Sequence, residues 1–293
     1  LTRLSRSRDP PIPSRSHRER IGAARMTGVL GRILDETRAT VAANKRTAPL
    51  EGLMERSAEG SPRGFRRALE RPGIGVIAEF KRRSPSAGLL REDADVAQIA
   101  AAYEQAGASA MSVLTEKPNF EGSLADLQVA RVACDLPLLR KDFVVDAYQL
   151  YEARAAGADA VLLIVAALPA AELASLHETA TGLGLDVLVE VHDSQELAIA
   201  ASAGASLIGV NNRDLRDFSV DISRTSQLLA EMPPGACVVS ESGISTPEQL
   251  SWLEAQGVAA VLVGETLMRA PQPGEALGVL RGSLSFMKPH DSL

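Results

Sequence analysis

A short pattern returns four times at about fifty-residue intervals: Gln105-Ala106-Gly107-Ala108, Ala155-Ala156-Gly157-Ala158, Ser202-Ala203-Gly204-Ala205 and Ala255-Gln256-Gly257-Val258. Each copy stands a few residues before an apolar, β-rich run. A glycine there takes the left-handed conformation that ends a helix, so the chain turns straight into a strand. Such runs occur at Ala110 to Leu114, Leu136 to Arg140, Ala160 to Val165, Val187 to Val191, Leu207 to Val210, Cys237 to Ser240 and Ala260 to Val263. Helical stretches separate them, with start signals such as Ser245-Thr246-Pro247-Glu248 and Asp193-Ser194-Gln195-Glu196. With Gly75-Val76-Ile77-Ala78 as a first buried strand, eight strand–helix units result, and the repeat marks every second one. Eight units joined by right-handed crossovers close into a (β/α)8 TIM barrel. An open doubly wound sheet would more often show G-x-G-x-x-G after its first strand, and no such loop is present.

The barrel pattern has a helical preface. Leu30, Ile33, Leu34 and Val41 recur at helical spacing between Val29 and Lys45, and Phe65 to Leu69 suggests a second, short helix. We expect these to cap the chain in front of the first strand, giving a helical extension over 26–72 and a catalytic barrel over 73–293. Residues 1–25 differ in kind, being Arg-rich, acid-poor and broken by Pro10-Pro11-Ile12-Pro13. A disordered basic arm and a transit peptide both fit that composition. A third reading starts translation at Met26, where helical patterning begins.

Composition excludes several classes of function. With 45% apolar but only 3% aromatic residues, the core must consist of Ala, Val, Leu and Ile packed in layers. A net charge of -6 argues against a general nucleic-acid binder, so an anionic ligand needs a local cluster of positive groups. Cys134 and Cys237 have neither the number nor the spacing of a disulfide framework or zinc site, which points to reduced thiols in the cytoplasm. No apolar run reaches the roughly 20 residues that a membrane span needs, and there is no signal-peptide core.

In such barrels function sits at the C-terminal ends of strands. Here those ends are polar. Glu79 and Lys81, two residues apart, point to the same side after the first strand. Lys141-Asp142-Phe143 follows the third strand, Glu190 ends the fifth, Asn211-Asn212-Arg213 the sixth and Glu241-Ser242-Gly243 the seventh. Charges gathered at one mouth shift one another's pKa values, which marks a candidate active site; each residue alone also fits a satisfied rim position. Ser242-Gly243-Ile244 and Gly264-Glu265-Thr266 suggest a phosphate seat, because free backbone N–H groups and a helix start attract an anion. Tight turns alone would also use both glycines. Ser84, just beyond the first strand, adds a hydroxyl.

The block Ile77 to Ser86 resembles the indole-3-glycerol phosphate synthase family. So do Leu139-Arg140-Lys141-Asp142-Phe143, Val189-Glu190-Val191, Gly209 to Leu215, Ser240-Glu241-Ser242-Gly243-Ile244, and Val263-Gly264 with Leu267-Met268-Arg269. The likeness runs in order from about Met26 to the C-terminal region. It implies ring closure of 1-(2-carboxyphenylamino)-1-deoxyribulose 5-phosphate, with loss of carbon dioxide and water, to the indole of tryptophan biosynthesis. It further implies Lys141 as the general acid on the ribulose carbonyl and Glu190 in the proton transfers of dehydration. Lys81 falls near the substrate carboxylate and is a second candidate acid for dehydration; the division between Lys81 and Glu190 stays open. Glu79 and Glu241 orient and tune the lysines, and Asn211 and Arg213 hold polar groups of the substrate. Ser84, Gly243 and Gly264 map to the phosphate site with Ser242 beside it, and Phe143 and Leu162 to the anthranilate pocket. No metal or other cofactor is implied. The implied ligand is a small phosphorylated substrate, and the enzyme is cytoplasmic and can associate with other enzymes of tryptophan synthesis.

Glu265 departs from the family pattern, in which a small hydroxyl residue often stands beside the phosphate, so we expect its side chain to turn away. For Lys141 to donate near neutral pH, burial or crowding by Lys81 would lower its pKa, against the pull of the glutamates. His192, Trp252 and both cysteines read as structural. Three alternatives make different demands on the same residues. Phosphoribosylanthranilate isomerase would carry a cysteine at the end of the first strand, a class I aldolase would use Lys141 as a Schiff base, and a non-catalytic binding barrel would not need both lysines and both glutamates.

Overall fold

A computed structural model describes residues 28–57, 59–214 and 218–282; the expectations placed on residues 1–25, on Met26 and on Leu215 fall outside them. Helices α1 (Val29–Thr47), α2 (Leu50–Ser57) and α3 (Phe65–Leu69) precede strand β1 (Gly75–Phe80). A two-residue hairpin follows, β2 (Arg83–Ser84) against β3 (Gly88–Leu89). The chain then alternates through α4 (Val96–Gln105), β4 (Ala110–Leu114), α5 (Leu124–Ala133), β5 (Leu138–Lys141), α6 (Ala147–Ala155) and β6 (Ala160–Ile164). After a 3-10 turn at Val165–Ala167 come α7 (Ala170–Gly182), β7 (Asp186–Val191), α8 (Ser194–Ser202), β8 (Leu207–Asn211) and α9 (Ser223–Leu229). The last elements are β9 (Cys237–Glu241), α10 (Pro247–Ala255), β10 (Ala260–Val263), α11 (Glu265–Arg269) and α12 (Pro273–Leu280).

Excluding the hairpin, the strands form a closed parallel barrel in sequence order, with β1 pairing both β4 and β10. This is the expected (β/α)8 architecture. The four repeat glycines carry φ values of 81°, 89°, 83° and 86° at Gly107, Gly157, Gly204 and Gly257. The residue after each glycine donates its N–H back into the last helical turn, as in Ala158 N to Ala153 O at 2.9 Å, so the orphan carbonyls of the helix end are satisfied. At the other ends, Asp95, Ser123, Asp146, Asp193 and Thr246 accept backbone N–H groups of their helices. The strands are buried on both faces, which is why they read as continuous apolar runs.

The helical preface does more than cap the first strand. Arg63 and Arg66 donate backbone N–H groups to Asp159 at 2.6 Å and Asp186 at 2.9 Å, so α3 closes the end where β6 and β7 begin. Phe65 and Leu69 of α3 are buried there. By contrast, α1 reaches the opposite end, where Val29, Leu30 and Ile33 join the wall of the strand-end cavity. The expected single cap is therefore divided between the two ends of the barrel. The third barrel strand also starts later than expected, at Leu138 rather than Leu136, because Pro137 has no N–H to give the ladder and offers only its carbonyl, to Met111 N at 2.9 Å.

Candidate active site

A cavity of about 550 Å³ opens at the C-terminal ends of the strands. Of the candidate site residues, Glu79, Lys81, Ser84, Lys141, Phe143, Leu162, Glu190, Asn211, Arg213, Ser242, Gly243, Gly264 and Glu265 line it; Glu241 does not, and meets it through Lys141. Strand parity accounts for the gathering. Arg140 points outward from β5 to the α6 layer, so Lys141 points inward.

Lys141 Nζ stands among three carboxylates, 2.8 Å from Glu241 Oε2, 3.8 Å from Glu79 Oε2 and 3.9 Å from Glu190 Oε2. Lys81 Nζ lies 2.5 Å from Glu79 Oε1, so Glu79 bridges the two amines. Burial acts to lower the pKa of Lys141, but the charges of Glu241, Glu79 and Glu190 outweigh it and hold the ammonium above its ordinary value. The expected lowering is thus reversed: three acids are close, and they win over desolvation. Glu79 is pulled the other way by its amines, since burial would raise it but Lys81 and Lys141 bring its pKa below the usual carboxylate value. Burial pushes Glu241 up to about 7, against the pull of Lys141.

Two glycines make room for these acids. A Cβ at Gly209 on β8 would overlap Glu241 Oε1, and one at Gly264 would overlap Glu79 Oε1. Gly264 therefore has a packing role beside its place in the candidate phosphate loop. Asn211 ties the far side together: its Nδ2 donates to Glu190 Oε1 at 3.1 Å, and its Oδ1 accepts from Ser242 Oγ at 2.9 Å and Arg213 N at 3.0 Å. His192, read as a rim residue, brings Nε2 to 3.6 Å from the same Glu190 Oε1.

The candidate phosphate seat lies along the cavity edge. Ser242 and Gly243 have φ of 68° and 85°, a sharp turn that presses Gly243 against Val220 where a Cβ would collide. Thr266 Oγ1 donates to Ile244 O at 3.1 Å and joins this loop to the one after β10. Ser84 Oγ, buried in the hairpin, accepts from Ala87 N at 3.1 Å. Glu265 lines the cavity, and its carboxylate accepts from Arg269 Nε at 3.1 Å and approaches Arg213 at 3.6 Å. On the apolar side, Phe143 meets Phe120 with ring centroids 6.3 Å apart. Phe120, Ile164, Val29, Leu30 and Ile33 were not singled out beforehand; helical spacing marked the last two as apolar, but not which end of the barrel they would face.

A sequence model of the family described as indole-3-glycerol phosphate synthase matches residues 30–280. An indole-3-glycerol phosphate synthase of Koribacter versatilis is 49% identical over 260 residues, covering 88% of this chain and 100% of the relative. One from Aromatoleum aromaticum is 48% identical over 262 residues, with the same coverage of each chain. Among solved structures, a thiamine phosphate pyrophosphorylase from Pyrococcus furiosus superposes with a TM-score of 0.55 at 18% identity, over 74% of this chain and 96% of that one. A mutant tryptophan synthase alpha-subunit from the same organism gives 0.52 at 13% identity, over 71% and 98%. At such identities these two superpositions show the barrel fold alone.

Proposed function

The chain belongs to the indole-3-glycerol phosphate synthase family, and from its strand-end geometry we propose how its residues divide the reaction of that family. The activity is that of a carboxy-lyase in tryptophan biosynthesis: 1-(2-carboxyphenylamino)-1-deoxyribulose 5-phosphate closes to indole-3-glycerol phosphate with loss of carbon dioxide and water. The assignment of roles is carried by one observation, the amine of Lys141 held among Glu241, Glu79 and Glu190 at the cavity that Phe143 and Leu162 line.

The substrate's anthranilate ring packs against Phe143 and Leu162, with its carboxylate toward Lys81. Its phosphate sits on the loops of Gly243 and Gly264, near Ser84 and Ser242, and Arg213 and Asn211 hold the polar chain between. Such clamping sets the aromatic carbon that bears the carboxylate against the ribulose carbonyl, which supplies much of the rate by orientation. Lys141, kept as ammonium by its three carboxylates, hydrogen-bonds that carbonyl. As the aromatic carbon attacks, the developing alkoxide becomes a stronger base than the amine and takes the proton. Carbon dioxide then leaves, and its bonding pair restores the aromatic ring. Dehydration removes the hydroxyl just formed, protonated by a lysine, and one hydrogen from the adjacent methylene carbon, which Glu190 accepts. Glu79 bridges and orients the two amines, and Glu241 holds Lys141 from the other side. A Schiff-base role for Lys141 requires a neutral amine, which this setting opposes.

The same reading makes 73–293 the catalytic unit and 26–72 its extension, supported by α1 lending Val29, Leu30 and Ile33 to the cavity wall. It places the chain in the cytoplasm, in keeping with the absence, among the described residues, of any helix long and apolar enough to cross a membrane. The test is Lys141→Met. Formation of the fluorescent indole product should fall by at least about 100-fold while substrate binding stays measurable by titration. Unchanged turnover would refute the role given to Lys141.

A further inference from the structure

His192 follows β7 directly, and its ring lies between two carboxylates. Its Nδ1 is 3.0 Å from Glu196 Oε2 on α8, an oxygen that also accepts the His192 backbone N–H at 2.8 Å. Its Nε2 faces Glu190 Oε1 at 3.6 Å, is closed off from solvent and has no hydrogen-bond partner among the described residues. Glu196 Oε2 acts as an acceptor, already taking the His192 backbone N–H, so Nδ1 carries the hydrogen of this contact. In a neutral ring Nε2 would then turn a lone pair toward the oxygen of another acceptor. Two buried acceptors facing one another repel, and one further proton on Nε2 turns the contact into a charge-assisted N–H to oxygen pair.

We infer that His192 stands as the imidazolium and is a positioning residue for Glu190, pairing with Oε1 so that the carboxyl is held in one orientation and presents Oε2 to the substrate. The inference rests on the role given above to Glu190 as the acceptor of the methylene proton. The surroundings agree with it. Asn211 Nδ2 also binds Oε1, so both donors act on one oxygen, and Oε2 is left facing Lys141. The charged groups around the ring are Glu190 from β7, Glu196 from α8 and Arg224 from α9; burial and Arg224 disfavour the imidazolium, but the two carboxylates prevail and raise its pKa above 6.5. As pH rises through that value the ring loses its Nε2 proton, and Glu190 loses the partner that orients it.

Two measurements test this. In the intact chain with 15N-labelled histidine, the His192 ring should show both nitrogens protonated near neutral pH and titrate above 6.5, and its pKa should drop in Glu190→Gln. In turnover, His192→Gln should lower kcat by about 10-fold, leave KM within about twofold, and lose the alkaline decline that the parent shows as His192 deprotonates. A neutral ring with bare Nε2 near neutral pH, or a His192→Gln profile that superposes on the parent, overturns the inference. Full activity in Glu190→Gln would instead remove the role of Glu190, and the ring titration would still decide whether the charged pair exists.

Discussion

Glu241 is set by burial on one side and the Lys141 ammonium on the other, and its Oε1 is buried without a hydrogen-bond partner among the described residues. Its folded pKa of about 7 exceeds the ordinary 4.5, so between those values the folded chain keeps a proton that the unfolded chain has released. Stability therefore falls as pH rises across that window and levels off above it. In Glu241→Gln this decline should vanish, so the difference between parent and variant in denaturant unfolding narrows or reverses from pH 4.5 to 7; parallel curves would count against the raised carboxyl. The residues of the site were legible because barrel strands project function from their C-terminal ends and a buried charge is costly unless it is paired. The glycines were legible as turns but not as space for acids. That Gly209 gives way to Glu241, and Gly264 to Glu79, depends on neighbours 32 and 185 positions away in sequence, from residue numbers 241 − 209 and 264 − 79.

Between residue and fold lies the support of β5. Arg140 is buried between the strand and α6, donating to Gln149 O at 2.6 Å and pairing with Asp142 at 3.0 Å and Glu152 at 3.4 Å. Asp142 in turn accepts from Thr115 Oγ1 of the loop after β4 at 2.5 Å. Two buried acids share one guanidinium, so removing it leaves both with neutral donors only, Thr115 and Phe143 N for Asp142 and Asn44 for Glu152. Arg140→Met should cost about 3–5 kcal/mol, the range for breaking a buried pair from one side, read as a lower midpoint in urea; a loss under about 1 kcal/mol would mean that solvent reaches the acids. Element boundaries were legible where glycine and cap residues punctuate the chain. Helix α2 and the β2–β3 hairpin were missed. The first offers only Leu50, Leu53 and Met54 as an apolar pattern, and the second has two residues per strand, too few to show alternation.

At the scale of the molecule, the barrel was written in repetition: eight apolar runs, each too short for a buried helix, with a helix-ending glycine before every second one. What repetition cannot carry is the placement of elements outside the repeat. The preface helices are amphipathic either way, and only the folded chain divides them, α3 at the strand starts and α1 over the mouth. The central claim is that one cavity holds phosphate, aromatic ring and both amines together. The most direct measurement is a crystal structure with indole-3-glycerol phosphate bound. We predict the phosphate on the backbone amides of Gly243 and Gly264, the indole against Phe143 and Leu162, and Lys141 Nζ between them within hydrogen-bond reach of the glycerol oxygens. A phosphate bound away from both glycines, or an indole outside the reach of Lys141 and Glu190, would contradict the account.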